Sequence, residues 1–118
     1  MTKVSLEILS DIDGFLAAAL VDSSSGLCVQ TLGGGINLEI AAAGNTEVLL
    51  AKRQVAASLD LDDQIEDILI NLRKQYHLIR PLVRNQTFFL YVVLDRSKAN
   101  LAMARHELRS FENQLEFA

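Results

Sequence analysis

The chain has 118 residues, half of them hydrophobic, with one Cys, one Pro and no Trp. This composition describes one compact domain, residues 1–118, and excludes a disordered chain or a scaffold held together by disulfides. The net charge of −4 is unevenly spread, because the first 67 residues carry 3 basic and 11 acidic side chains and the rest carry 8 and 4. Without a dominant basic face interleaved with aromatic residues, the chain is not expected to bind nucleic acid.

The N-terminal segment is interrupted by acidic residues and lacks the continuous apolar stretch of a secretory signal, so a cytoplasmic location is expected. The longest apolar runs, residues 15–21 and 88–94, are too short to span a bilayer, and we expect no membrane insertion. Cys28 has no partner in the chain, which favours a small buried hydrophobic residue over a reactive thiol.

The first half of the chain predicts a helix, a hairpin and a second helix. Two apolar segments, residues 15–21 and 27–32, flank turn residues and predict the hairpin. Asn37, after a run of three glycines, is a suitable N-cap for the second helix, which extends to about residue 59 with Glu39 in its first turn. The first helix is predicted over residues 3–12, where apolar side chains recur at helical spacing: Val4, Ile8, Leu9 and Ile12.

The second half predicts three strands and a final helix, giving an α+β domain. The strands are residues 68–70, 76–83 and 88–94. Pro81 cannot donate to a strand ladder, so we expect it at a strand end or where its nitrogen faces no partner. The last helix begins near residue 99 and carries one apolar stripe: Leu101, Ala104, Leu108, Phe111 and Leu115.

Two features indicate that this domain has more apolar surface than it can cover alone. Residues 15–21 and 88–94 are apolar at every position, so both faces of those strands must be covered. The middle helix carries two apolar ribbons about a quarter-turn apart, with Asn45 and Lys52 between them. One ribbon is Ile40, Gly44, Val48, Ala51 and Val55, and the other is Leu38, Ala42, Leu49 and Ala56.

The geometry of the sheet then favours self-association. Five strands at about 4.8 Å spacing make a face about 20 Å wide, whereas a helix is only about 10–12 Å across. The first and last helices can share one face, but the middle helix alone cannot close the other. A two-fold dimer that sets two middle helices side by side would close it. We expect this interface to use the second ribbon and its border: Leu38, Ala42, Asn45, Leu49, Lys52 and Ala56.

No catalytic, cofactor or metal site is expected. The glycines at 33–35 lack a phosphate-binding fingerprint, and no Ser lies in a nucleophile elbow. His77 and His106 have no partner at a metal-site spacing. The acidic residues between 60 and 67 lack the calcium-loop pattern, which favours a solvated acidic loop. Those carboxylates are Asp60, Asp62, Asp63, Glu66 and Asp67.

Two segments resemble the Roadblock/dynein light chain family: residues 14–22 (Gly-Phe-Leu-Ala-Ala-Ala-Leu-Val-Asp) followed by Gly26, and residues 95–105 (Asp-Arg-Ser-Lys-Ala-Asn-Leu-Ala-Met-Ala-Arg). The resemblance implies a profilin-like αββαβββα domain with a five-stranded antiparallel sheet in the order 2-1-5-4-3. It also implies dimers in which middle helices pack and third strands join into one sheet. That strand is approximately residues 65–72, so Ile65, Asp67 and Leu69 are expected in the interface.

The same resemblance implies a non-enzymatic homodimeric adaptor that binds a Ras-like small GTPase and modulates its nucleotide cycle. An alternative is a profilin-like sensory or scaffold module, which binds another protein, or a small ligand between helix and sheet, without a GTPase. The small-ligand form needs polar groups that converge in an apolar pocket. A metal-assisted hydrolase that uses the acidic loop is a third and weaker alternative.

Overall fold

The computed structural model describes residues 2–3 and 5–117. Its elements, in chain order, are β1 (Thr2–Lys3), a 3-10 helix (Leu6–Asp11), β2 (Phe15–Asp22), β3 (Leu27–Gly33), α1 (Leu38–Ser58), β4 (Ile68–Asn71), β5 (Gln75–Pro81), β6 (Phe88–Asp95), α2 (Leu101–Asn113) and β7 (Glu116–Phe117). The main antiparallel sheet has the order β3-β2-β6-β5-β4, and β1 pairs with β7 separately. Counted within the main sheet alone, the order is 2-1-5-4-3, which confirms the layout that the resemblance implies.

The two central strands are covered on both faces, as their continuous apolar sequences predict. Residues 17–21 of β2 and 89–94 of β6 are buried at every position. The 3-10 helix and α2 together cover one face of the sheet, and α1 lies on the other. Pro81 is the last residue of β5, where it interrupts no ladder, and this position was also predicted.

The first helix is shorter and tighter than predicted. It is a 3-10 helix, with Leu6, Leu9 and Ile12 buried against the α2 side of the sheet, while Ile8 is exposed. A 3-10 helix has three residues per turn, so side chains three apart share a face, and the expected pairing of Ile8 with Leu9 is wrong. Val4, the fourth residue of the predicted stripe, lies outside the described residues.

The middle helix begins at the predicted cap. The Oδ1 atom of Asn37 accepts hydrogen bonds from the backbone N–H groups of Glu39 and Ile40, both at 3.1 Å. These bonds satisfy two of the donors that a helix N-terminus leaves unpaired. The final helix is capped in the same way, since Asn100 Oδ1 accepts from the N–H of Met103 at 3.1 Å. Its predicted stripe is buried at four positions, with Leu101 partly buried: Ala104, Leu108, Phe111 and Leu115.

The ribbon of α1 that packs against the sheet is the one that was predicted to face a partner, and the other ribbon is exposed. Leu38, Ala42 and Leu49 are buried against the sheet, so they are not the free face that sequence analysis assigned them to. The first ribbon is the one left in solvent. The facing part of β2 presents the small side chains of Ala17 and Ala19, which allow α1 to approach closely at Ala42. Sequence periodicity shows that a helix has two apolar ribbons, but the shape of the opposing sheet decides which one it covers.

Candidate interaction surface

An apolar face of α1 points away from the protein. We call this ribbon the α1 outer face, and it consists of Ile40, Gly44, Val48, Ala51 and Val55. Ile40 is 71% exposed, and Val48 and Val55 are 42% and 46% exposed. Apolar area left in water is favourable to bury, at roughly 25 cal/mol per Å². A contiguous ribbon of this kind, unlike single exposed apolar residues, is a candidate interaction surface.

The sheet beside α1 is only partly covered. The helix lies over β2 and β3, and a β-carbon on Gly26, in the turn between those strands, would lie 3.6 Å from Ala43 of the helix. On the other flank of α1, Ile68 and Ile70 of β4 and His77 of β5 remain partly exposed. A single helix therefore covers one half of this face, as the widths of a helix and a five-stranded sheet predict.

A chain of polar side chains lies in this partly covered region. The Tyr91 hydroxyl is 2.9 Å from His77 Nδ1, and His77 Nε2 is 2.8 Å from Gln75 Oε1. Because an amide oxygen only accepts, Nε2 carries the ring proton and Nδ1 accepts from Tyr91. Burial lowers the pKa of His77, which favours the same neutral ring. Burial raises the pKa of Tyr91, and a hydrogen bond from the Asn45 side chain opposes that rise.

The outer edge of β4 borders the same region. In the described part of the chain, β4 pairs with β5 on one side, and its other edge joins no strand. Such an edge presents unpaired N–H and C=O groups that a further strand can satisfy. The strand is Ile68–Asn71, shorter than the predicted residues 65–72, and the residues just before Ile68 form a linker without regular secondary structure.

The linker ahead of β4 is fixed by ion pairs to α2. Arg105 donates from Nε and Nη2 to the two carboxylate oxygens of Asp67, at 2.9 and 3.1 Å. Glu66 lies 3.7 Å from Arg109, and both of these side chains are at least half exposed. A bidentate pair fixes geometry as well as charge, so Asp67 positions the start of β4.

The residues predicted for a dimer interface fall into two groups. Leu38, Ala42 and Leu49 are buried within the chain and cannot reach a partner without unfolding α1. Lys52 is exposed, and the remaining five are partly buried at the helix flank, the linker or β4: Asn45, Ala56, Ile65, Asp67 and Leu69. These six remain predictions. Leu69 packs on the α2 side of the sheet and Ile65 on the α1 side.

Other candidate groups have ordinary surroundings. The pKa of Cys28 is raised by burial and by the Glu39 carboxylate, and its Sγ lies 3.6 Å from the Leu38 carbonyl oxygen. A raised pKa keeps this thiol protonated at neutral pH. Within residues 2–3 and 5–117, no group of three His, Cys, Asp or Glu side chains is arranged to hold a metal ion. None of the helices described is both long and apolar enough to cross a membrane.

The sequence matches no protein-family model and no curated protein. Solved structures do resemble it. The Roadblock/LC7 domain from Streptomyces avermitilis superposes with a TM-score of 0.78 at 13% identity, covering 91% of this chain and 87% of that one. The gliding protein MglB from Thermus thermophilus gives 0.74 at 15% identity, covering 91% and 82%. A structure described as MglB with a tetrameric arrangement gives 0.75 at 15%, covering 91% and 81%. The chain therefore has the Roadblock/LC7 fold.

Proposed function

We propose that this Roadblock/LC7-fold chain is a non-enzymatic homodimeric adaptor that acts in the cytoplasm, binds a Ras-like small GTPase and modulates its nucleotide cycle. The observation that carries the proposal is the α1 outer face, which lies exposed beside a half-covered sheet and a β4 edge that joins no strand among the described residues.

A single two-fold axis accounts for all three of these features. With the axis normal to the sheet, two β4 strands meet antiparallel and the ten strands of two chains form one sheet. Both copies of α1 then lie on the same side, each next to the region that the other leaves open. The edge of the α1 outer face that carries Val48, next to the Asn45 flank, contacts the same edge of the partner helix, and Ile68, Ile70 and His77 lose their solvent exposure. The interface is self-complementary, so no second kind of surface is needed.

The GTPase part of the proposal rests on the family resemblance and on the fold that this chain shares with MglB. The MglB from Thermus thermophilus is described as a gliding protein. A joined pair of α1 helices would offer a GTPase one continuous surface that a single chain does not have. The proposal therefore makes GTPase binding depend on the dimer. A regulator of this type contributes no nucleophile or base of its own and acts by shifting the conformation of the GTPase.

The test uses small GTPases from the same organism, beginning with any encoded beside this chain. Each is loaded with a fluorescent GDP or GTP analogue, and nucleotide release and GTP hydrolysis are followed with and without the adaptor. We expect a change in one of the two rates that saturates with adaptor concentration and is lost when Val48 is replaced by Arg. If no GTPase from the organism binds or changes rate, the proposed partner is wrong even if the dimer forms.

The alternative with a small ligand between helix and sheet has less support. Leu38, Ala42 and Leu49 fill the space between α1 and β2, so apolar side chains of the chain itself occupy the place of the ligand. The polar chain of His77 and Tyr91 lies at the flank of α1, where the proposed partner helix would cover it.

A further inference from the structure

The β4 strand has opposite charges at its two ends. In the linker before it, the Glu66 side chain is 74% exposed and lies 3.7 Å from Arg109. In the turn after it, Arg73 and Lys74 are both exposed. The outer edge of β4 joins no strand in the described part of the chain. A second copy that runs antiparallel along this edge brings the basic end of each strand to the acidic end of the other.

The α1 side of β4 carries an apolar row that one chain covers incompletely. Ile68 and Ile70 are partly buried against the core beneath α1. Leu72 continues the row, because alternate residues of a strand share a face, and it is 43% exposed. A strand added at this edge therefore has to supply apolar side chains on this face as well as matching charges at the two ends.

The backbone of β4 limits the possible registers of such a pair. The N–H of Leu72 donates to the carbonyl oxygen of Gln75 at 2.9 Å, so Leu72 and, two residues earlier, Ile70 direct their backbone groups toward β5. The residues between and beside them direct theirs toward the outer edge. With a two-fold axis normal to the sheet, one residue of β4 lies opposite its own copy, because residues directly opposite each other share a face. The strand has four residues, and each of them defines a different register.

Three of the four registers place a charge against apolar surface. An axis through Ile68 or Leu69 sets Glu66 opposite an apolar residue of the second copy. An axis through Asn71 sets Lys74 opposite an isoleucine. Burying a charge against carbon surface without a partner is unfavourable, so these registers are disfavoured.

We propose that the outer edge of β4 binds a second copy of this chain with Ile70 on the axis, opposite the partner's Ile70. Ile68 then packs against Leu72 of the partner subunit, and Glu66 pairs with Lys74 of the partner subunit. Symmetry supplies each of these contacts twice. The charges thus select a second copy over a strand with a different order of charges. This inference rests on the proposed dimer but not on its binding of a GTPase.

Cysteine cross-linking reads the register directly. Ile70→Cys, Leu69→Cys and Ile68→Cys are each made in a Cys28→Ala background and oxidised with diamide. Ile70→Cys should form a disulfide between chains, because α-carbons in a non-hydrogen-bonded antiparallel pair are about 4.5 Å apart. In this register the two α-carbons of residue 69 are about 8 Å apart and those of residue 68 are farther apart, beyond the reach of a disulfide. Cross-linking at residue 68 or 69 in preference to residue 70 would overturn the proposal.

Charge reversal tests the ion pairs. Glu66→Lys and Lys74→Glu should each raise the dissociation constant of the dimer roughly fivefold to fiftyfold, since two attractive pairs become repulsive. The double variant Glu66→Lys/Lys74→Glu restores both pairs and should return to within about threefold of the wild type. Glu7→Lys makes the same charge change as Glu66→Lys on the 3-10 helix, which contacts β2 and β3, and should leave the dimer unchanged. Additive losses in the double variant would contradict the pairing.

Salt and mass complete the test. Between about 0.05 and 0.5 M NaCl the dissociation constant of the wild type should rise and that of Lys74→Glu should fall, because salt screens attraction and repulsion alike. Sedimentation equilibrium measures both. A wild type that stays monomeric contradicts the proposed dimer and the register together. A stable wild-type dimer in which Ile70→Cys does not cross-link contradicts the register alone.

Discussion

Ile40 and Leu49 lie on opposite faces of the same helix, and their surroundings differ completely. Ile40 is 71% exposed, whereas Leu49 has no exposed surface and packs against β2 and β6. Nine residues turn an α-helix through two and a half turns, so the two side chains point in opposite directions. One of them holds α1 on its own sheet, and the other is available to a second chain.

Replacing Leu49 with Arg should unfold the chain rather than merely separate a dimer. The substitution places a charge in a site with no exposed surface and no counter-ion, and the expected cost is more than about 4 kcal/mol of the free energy of unfolding. Circular dichroism during urea unfolding measures this loss. A folded Leu49→Arg variant with native stability would contradict the packing of α1 described above.

The buried pair of Arg80 and Glu112 should show a large single-variant effect and a small double-variant effect. Glu112→Leu leaves an uncompensated guanidinium and should cost about 3–5 kcal/mol in unfolding free energy, whereas Arg80→Met/Glu112→Leu should be near the wild type or more stable. Glu66→Gln, at an exposed pair, should change stability by less than about 1 kcal/mol. Urea midpoints measure all three, and additive losses in the double variant would contradict the pairing.

Much of the fold could be predicted from sequence because its signals are local or continuous. The central strands are apolar at every position, and Asn37 and Asn100 cap their helices through contacts within three residues. What the sequence could not determine depends on contacts between distant segments. The two ribbons of α1 are both apolar, so their sequence alone does not show which one packs against Ala17 and Ala19 of β2.

Glu112 illustrates the same limit. Glu112 was not part of the predicted apolar stripe, but it follows Leu108 by four residues and so borders that stripe. It is buried because Arg80, 32 residues away in sequence, supplies the opposite charge. A sequence pattern does not show that two charged residues will meet across a sheet and a helix. The buried pair could not be predicted for this reason, whereas the prediction of a second chain needed only the widths of sheet and helix.

Gly33 should tolerate substitution much less well than its neighbour Gly34. Gly33 has a φ of +82°, and a β-carbon there would overlap the carbonyl oxygen of Leu16, whereas a β-carbon on Gly34 would meet nothing within 4 Å. Gly33→Ala should therefore cost about 1–3 kcal/mol of stability or more, and Gly34→Ala should be nearly neutral. Thermal unfolding of both variants checks the difference. Equal melting temperatures would show that the approach of β3 to β2 is looser than described.

Stability should fall on mild acidification because of His77. Burial lowers its pKa below the ordinary value of about 6.5, so the unfolded chain takes up a proton before the folded chain does. The contribution is fully present above about pH 6.5 and is lost progressively as pH falls toward the lower pKa of the folded state. Unfolding midpoints between pH 5 and 8 measure it. His77→Gln should flatten the slope in this range, and an identical slope in the variant and the wild type would contradict the assignment.

The central claim is that two copies of this chain join through the α1 outer face. Light scattering coupled to size exclusion, on the wild type and on Val48→Arg, tests it most directly. We expect the wild type at twice the 13.0 kDa mass of one chain. Val48→Arg should have the single-chain mass and an unchanged circular dichroism spectrum. A wild type that remains at 13.0 kDa at high concentration, or a Val48→Arg variant that remains dimeric, would contradict the claim.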